Sequence, residues 1–310
     1  MCKISWVFKM LNLNKGINNI FPHSKEFSQG LGKIRAGQAT AVVSLDGSGD
    51  FDDIQEAIDS LPTEGGVVYI KEGNYVITEE IQINKDNVTI SGTGRGTKIS
   101  TSSNVTLFTT GNEAYTVSND YIIIEKLFLK GITAPPNQHG IWVQSGSERI
   151  TIRDCFIETM GAIGIVAAGG NNCMFINNYI YNCGSYGITY QNGDYGIIQG
   201  NICDDCFCGI VLNNTVYNSV LGNICNDNDD NGIELNGTVV RNAVIGNLCT
   251  GNADHGIKGV LSSTDHNVAS GNVCAGNTIG QILWPGSTDN LPDGATGTTN
   301  LEIDDLNIIA

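Results

Sequence analysis

The sequence predicts an all-β fold, a parallel β-helix in which one chain winds through stacked coils. Two markers that keep step across residues 140–284 predict it, and the content of each period excludes the rivals. A Gly followed by Ile recurs at Gly140, Gly164, Gly187, Gly209, Gly232 and Gly256, at intervals of 24, 23, 22, 23 and 24 residues. An Asn recurs with it at Asn178, Asn201, Asn223, Asn247 and Asn272, at intervals of 23, 22, 24 and 25. Two co-periodic markers over this length mean a solenoid. Each period holds short β-branched and aromatic runs, such as Ile150, Thr151 and Ile152, broken by Asn, Gly and Asp. It holds neither the Leu frame of leucine-rich repeats nor a pair of amphipathic helices. Roughly 23 residues suffice for three short strands and three corners, each strand pairing in parallel with its copies about 4.8 Å away.

Stacking places like positions in columns along the axis. Counting two residues past the Asn, with Lys126 and Asp154 as its equivalents in earlier coils, predicts one inward column. It contains Phe128, Phe156, Ile180, Cys203, Cys225, Cys249 and Cys274. Free thiols behave there as small hydrophobes. The Asn column is expected at left-handed corners, with its amides hydrogen-bonded along the axis.

The segment before the repeats reads Asp46, Gly47, Ser48, Gly49, Asp50, Phe51, then Ile54, Gln55, Ala57 and Ile58. It continues with Gly65, Gly66, Val67, Val68, Tyr69, Ile70, with Gly73, Asn74, Tyr75, and with Asn87, Val88, Thr89, Ile90, Ser91, Gly92. This succession resembles the entry segment of the pectin-lyase-like superfamily, whose members include polysaccharide lyases, polygalacturonases, alginate epimerases and phage tailspikes. Together with the repeats, the resemblance spans about residues 42–284. It implies a single-stranded right-handed parallel β-helix solenoid and the handling of polysaccharides. It carries no active site across, because the Asp-Pro-His-Glu run of the epimerases and the Asn-Thr-Asp with paired Asp of the polygalacturonases are absent.

In chain order, residues 1–40 form a basic leader of net charge +5, while the rest of the chain carries −21. Ile4, Val7, Phe8 and Leu11 mark one face of a short helix there, either an attachment arm or a disordered leader. Lys9 interrupts an apolar run too short for a signal peptide or a membrane span, so neither is expected. Residues 50–61 are expected as a helix with Asp50 as N-cap, Phe51, Ile54, Ala57, Ile58 and Leu61 on one face, and Pro62 as its stop. Its role is to cap the open end of the first coil. The β-helix is expected over 41–284, with loops near 100–119 and 134–139, and a cap segment over 285–310.

With 16 basic and 32 acidic residues, the chain is a poor partner for nucleic acid, and polyanions would also be repelled without a cation. Chemistry is sought where polar columns break the apolar ones. Two places before each repeated Gly stand Ser185, Phe207, Asp230 and Asp254 on consecutive coils. Adjacent rungs set the Asp230 and Asp254 backbones at a separation suited to paired carboxyls working on a glycosidic bond. His255 is adjacent, and these three are the candidate catalytic residues. Glu234 and Lys258, outward and one coil apart, are candidate substrate-binding residues, with a cross-strand ion pair as their plainer role. Trp142 is expected to point outward as a sugar-stacking platform. Cys203, Cys206 and Cys208 lie close in sequence, but strand alternation keeps them from converging on one ion, so no metal and no cofactor is expected.

Two functional readings follow. One is a carbohydrate-active protein, a lyase or glycosidase binding an extracellular polysaccharide or surface glycan. The other is a non-catalytic virion tailspike or cell-surface protein, assembled as a homotrimer, with the basic leader as its attachment.

Overall fold

The computed structural model describes residues 40–111, 119–133, 136–259, 266–283 and 291–292. The leader, most of the C-terminal segment and parts of the two expected loops, 112–118 and 134–135, lie outside the described residues. The described residues belong to one compact unit that begins at Ala39.

Among the described residues, three parallel sheets of 11, 9 and 9 strands form this unit. One coil takes one strand from each sheet in turn, as in Ile197–Gln199, Ile202–Asp204 and Cys208–Asn213. The repeated Ile opens the third-sheet strand. Ile141, Ile165, Ile188, Ile210, Ile233 and Ile257 stand in register and are fully buried. The Gly before each is required by close approach. A Cβ on Gly187 would meet the Gly209 carbonyl oxygen at 2.7 Å and Cys203 Sγ at 2.9 Å, and one on Gly209 would meet the Gly232 oxygen at 2.4 Å.

The second sheet forms the opposite inner wall. Its inward column is Leu129, Ile157, Ile180, Cys203, Cys225, Cys249 and Cys274, paired rung by rung. Phe128 and Phe156 were expected in this column but face outward, where both are half-buried. The expectation slips by one residue because Lys126 and Asp154 are equivalents of the residue before the Asn. Both have left-handed backbones, as do Asn177, Gly200, Gly222 and Gly246. A one-residue slip turns every side chain to the other face.

The Asn column also differs from expectation. Asn178, Asn201, Asn223 and Asn247 are buried inward rather than left-handed, and the corner conformation belongs to the residue before each. The Oδ1 atoms of Asn201, Asn223 and Asn247 each accept from the backbone N–H and the side-chain Nδ2–H of the preceding rung at 2.9–3.0 Å, and that of Asn178 accepts from the Cys155 N–H. Two further ladders of the same design occupy the other corners: Asn228, Asn252, Asn277, and Asn218, Asn242, Asn267. Buried peptide groups that would be orphaned at each corner are thereby paired.

The N-terminal helix is Ile54–Ser60, shorter than expected, and its N-cap is Asp53, whose carboxylate accepts from Glu56 N–H at 2.9 Å. Asp50 instead accepts from Val42 N–H and ties the preceding loop to the first strand. Ile54, Ala57 and Ile58 pack into the core, so the helix does close the first coil. Among the described residues no helix is long and apolar enough to cross a membrane.

Candidate active site

The corner between the second and third sheets carries the candidate catalytic residues. Asp254 N–H donates to the Asp230 carbonyl at 2.9 Å, which places the two aspartates on adjacent rungs as the spacing predicts. Phe207 lies one rung before, its N–H bonded to the Ser185 carbonyl. Lys258 Nζ bonds Asp254 Oδ2, and His255 Nδ1 lies 2.7 Å from Asp254 Oδ1. The approach of that second pair is off the hydrogen-bond axis, so both atoms are buried without a directional partner. Gly280, in register with His255, leaves room for the imidazole over the next rung, since a Cβ there would meet its Cδ2 at 2.7 Å.

Glu234 and Lys258 face each other across the sheet in register. The expected ion pair between them is not formed. Lys258 reaches the nearer carboxylate of Asp254, four residues back on its own coil, and Glu234 Oε2 accepts from Asn231 Nδ2 at 2.8 Å. Asn231 Oδ1 also accepts from His255 N–H at 3.2 Å. Asn231 thus positions two of the candidate residues. Its only mark in the spacing is that it lies in the same column as His255.

The carboxyls have opposed protonation environments. Burial raises the Asp230 pKa above its ordinary value of 3.8, and although Lys258 opposes this, the neighbouring Asp254 adds to it through charge and a shared hydrogen bond. Burial would also raise Asp254, but the hydrogen bond from Lys258 and the charges of His255 and Lys258 outweigh it and hold Asp254 below 3.8. Glu234 is raised from 4.5, chiefly by burial, with Asn231 opposing and Asp230 reinforcing. Burial opposes the charge on Lys258, yet its bond to Asp254 raises its pKa from 10.5.

Trp142 shares the outward column of Glu234 and Lys258, but four rungs from Glu234, about 19 Å at the usual strand spacing. It is half-buried and meets His139 edge-on, with ring centroids 5.2 Å apart. Val166, Thr189 and Val211 between Trp142 and Glu234 are each 3 % exposed, so no open groove joins the two ends. The aromatic surface beside the acids is Phe207, 45 % exposed, with Tyr186 at 6.3 Å from it. Phe207 stands in the column of Asp230 and Asp254, a signal legible in the spacing.

Residues 64–279 match the model described as "Right handed beta helix region". The chain belongs to the right-handed β-helix family. Pectinesterases resemble one stretch of this β-helix protein. The probable pectinesterase/pectinesterase inhibitor 17 of Arabidopsis thaliana is 35% identical over 122 residues, which is 38% of this chain and 24% of that protein. Pectinesterase 2 of Citrus sinensis is 32% identical over 129 residues, 39% of this chain and 24% of that protein. The chain therefore spans about a quarter of the length of these relatives. Among solved structures, the A-module of the mannuronan C-5 epimerase AlgE4 of Azotobacter vinelandii superposes with a TM-score of 0.56 at 14% identity, covering 77% of this chain and 90% of that one. Tailspike protein 2 of bacteriophage CBA120, in its enzymatically active domain, gives 0.53 at 16% identity over 77% and 44%. An alginate lyase from Paenibacillus gives 0.52 at 16% over 79% and 96%. These likenesses show a common fold.

Proposed function

We propose that this β-helix protein binds an extracellular polysaccharide at the corner between its second and third sheets and hydrolyses it at Asp230, Asp254 and His255. The observation that carries this reading is the stacking of two aspartates on adjacent rungs, of which only Asp254 is bonded by Lys258 and approached by His255, so that burial favours the acid form of Asp230 while Lys258 favours the anion of Asp254. Separated pKa values in a pair of acids assign the acid and the base or nucleophile. The names of the similar proteins, which include an epimerase, a lyase and a tailspike, support sugar handling at an exterior location.

Asp230 gives its proton to the leaving glycosidic oxygen as the C–O bond breaks, and Asp254 attacks the anomeric carbon. Water then hydrolyses the glycosyl ester, its proton passing to Asp230. Lys258 and His255 keep Asp254 ionised and oriented. In a retaining mechanism the two carboxyls stand roughly 5–5.5 Å apart across the scissile bond when the sugar is bound. A glycan panel assayed for reducing ends, with absorbance of unsaturated products as the arm for a lyase, tests the activity. Hydrolysis with retained anomeric configuration is expected, and activity unchanged in Asp230→Ala and Asp254→Ala rejects this site.

A second reading, a trimeric non-catalytic spike, is favoured by the way the cluster closes on itself: Lys258 already occupies one oxygen of Asp254. Solution mass measured with and without residues 1–40 tests it. A monomer in both cases counts against it.

A further inference from the structure

The third sheet presents two outward columns, and their chemistry bears on the charge of the substrate. One runs Trp142, Val166, Thr189, Val211, Glu234 and Lys258, but Val166, Thr189 and Val211 are buried, so only its Glu234 and Lys258 end adjoins the acidic corner. The other runs Ala168, Gln191, Asn213 and Asn236, and its three amides are half-buried, open to contact from outside. Lys258 is the one basic side chain in either column, and its Nζ is held by Asp254. The corner beside them adds Asp230, Asp254 and the exposed ring of Phe207. A polymer bearing a carboxylate on every residue would meet this acidic corner with no free cation in either column among the described residues, within a chain of net charge −16. Carboxamides, with two donors and an acceptor each, match vicinal hydroxyls, and an aromatic ring matches the apolar face of a sugar.

We propose that this face takes an uncharged polysaccharide and rejects polyuronates, with Phe207 as the platform and Gln191, Asn213 and Asn236 as the hydroxyl-reading groups. The inference rests on the preceding reading for the place of binding, but not for cleavage. It departs from the uronate-acting proteins that share the fold.

The test compares one backbone in two charge states. Polygalacturonan as the free acid and as the fully methyl-esterified polymer, together with neutral glucan, mannan, galactan and xylan, are measured for binding to the full chain by affinity electrophoresis and calorimetry. The expected result is binding of at least one neutral polymer. A preference of about tenfold or more is also expected for esterified over free-acid polygalacturonan at low ionic strength, narrowing as salt is added. Asn213→Ala and Phe207→Ala should each weaken neutral binding about tenfold with unchanged circular dichroism. Free acid bound as well as the ester and the neutral polymers overturns the proposal. Neutral binding without cleavage removes the hydrolysis reading and leaves this one standing. Cleavage of a polyuronate removes this one and leaves carbohydrate activity standing, and binding of none of the polymers overturns both.

Discussion

Asp230 and Asp254 occupy equivalent corners one coil apart, yet Lys258 and His255 make direct contact only with the second and act on the first through charge alone, and that asymmetry gives each its expected role. Replacing Asp230 with Asn should lower hydrolysis about 10²–10⁴-fold while leaving the fold intact, as expected for loss of a general acid. The pH profile follows from the two directions of shift. Hydrolysis needs Asp254 ionised and Asp230 protonated, so its rate should peak on the acidic side, between the lowered and the raised values, and fall as Asp230 ionises. Lys258→Met should move the acid limb upward, since the counter-charge that depresses Asp254 is gone. His139 makes an independent prediction. Burial lowers its pKa from 6.5 to about 4, so between those values the unfolded chain binds a proton that the folded chain does not. Stability should therefore be full above pH 6.5 and decline as pH falls toward 4, and His139→Gln should flatten that part of a denaturation-against-pH curve.

At the scale of the element, the amide ladders hold the corners. Asn223 accepts from Asn201 and donates to Asn247 and to the Ile198 carbonyl, all within the buried interior. Asn223→Ala removes these bonds and strands the Asn201 N–H, so denaturant unfolding should show a loss of about 3 kcal/mol. An Asn at an exposed corner should cost only a fraction of that. The period was legible because Gly and Asn are both forced, one by the approach of the next carbonyl and the other by unpaired peptide groups. The phase of the early coils was not legible. Where Cys155 replaces the ladder Asn, its N–H still donates to Asn178 Oδ1 at 3.1 Å, but its side chain gives no polar mark from which to count. The helix start was ambiguous because Asp50 and Asp53 are equally good caps by composition, and only the bond to Glu56 N–H decides between them. The partner of Lys258 was hidden for a similar reason. Two carboxylates lie within its reach, and a sequence does not say which is nearer.

For the molecule as a whole, stability is a sum over coils and their contacts, so its two ends should differ. The N-terminal coil is closed by the helix Ile54–Ser60. At the other end Val273 and Ile279 are exposed, and the core residues Cys274 and Ile282 are only partly buried. Hydrogen exchange should open the coils around residues 266–283 first and protect those near Ile90 and Ile124 longest. Uniform exchange along the axis would contradict additive coils. The same linear construction lets two carboxylates meet from one repeated position, since stacking alone brings Asp230 beside Asp254. The most direct test is a carbon-13 titration of the aspartate carboxyls by nuclear magnetic resonance, assigned with Asp230→Asn and Asp254→Asn. Asp230 is predicted to titrate above the ordinary value of 3.8 and Asp254 below it, each shifting when the other is replaced. Two carboxyls that titrate together near 3.8, indifferent to each other's replacement, would contradict the paired site.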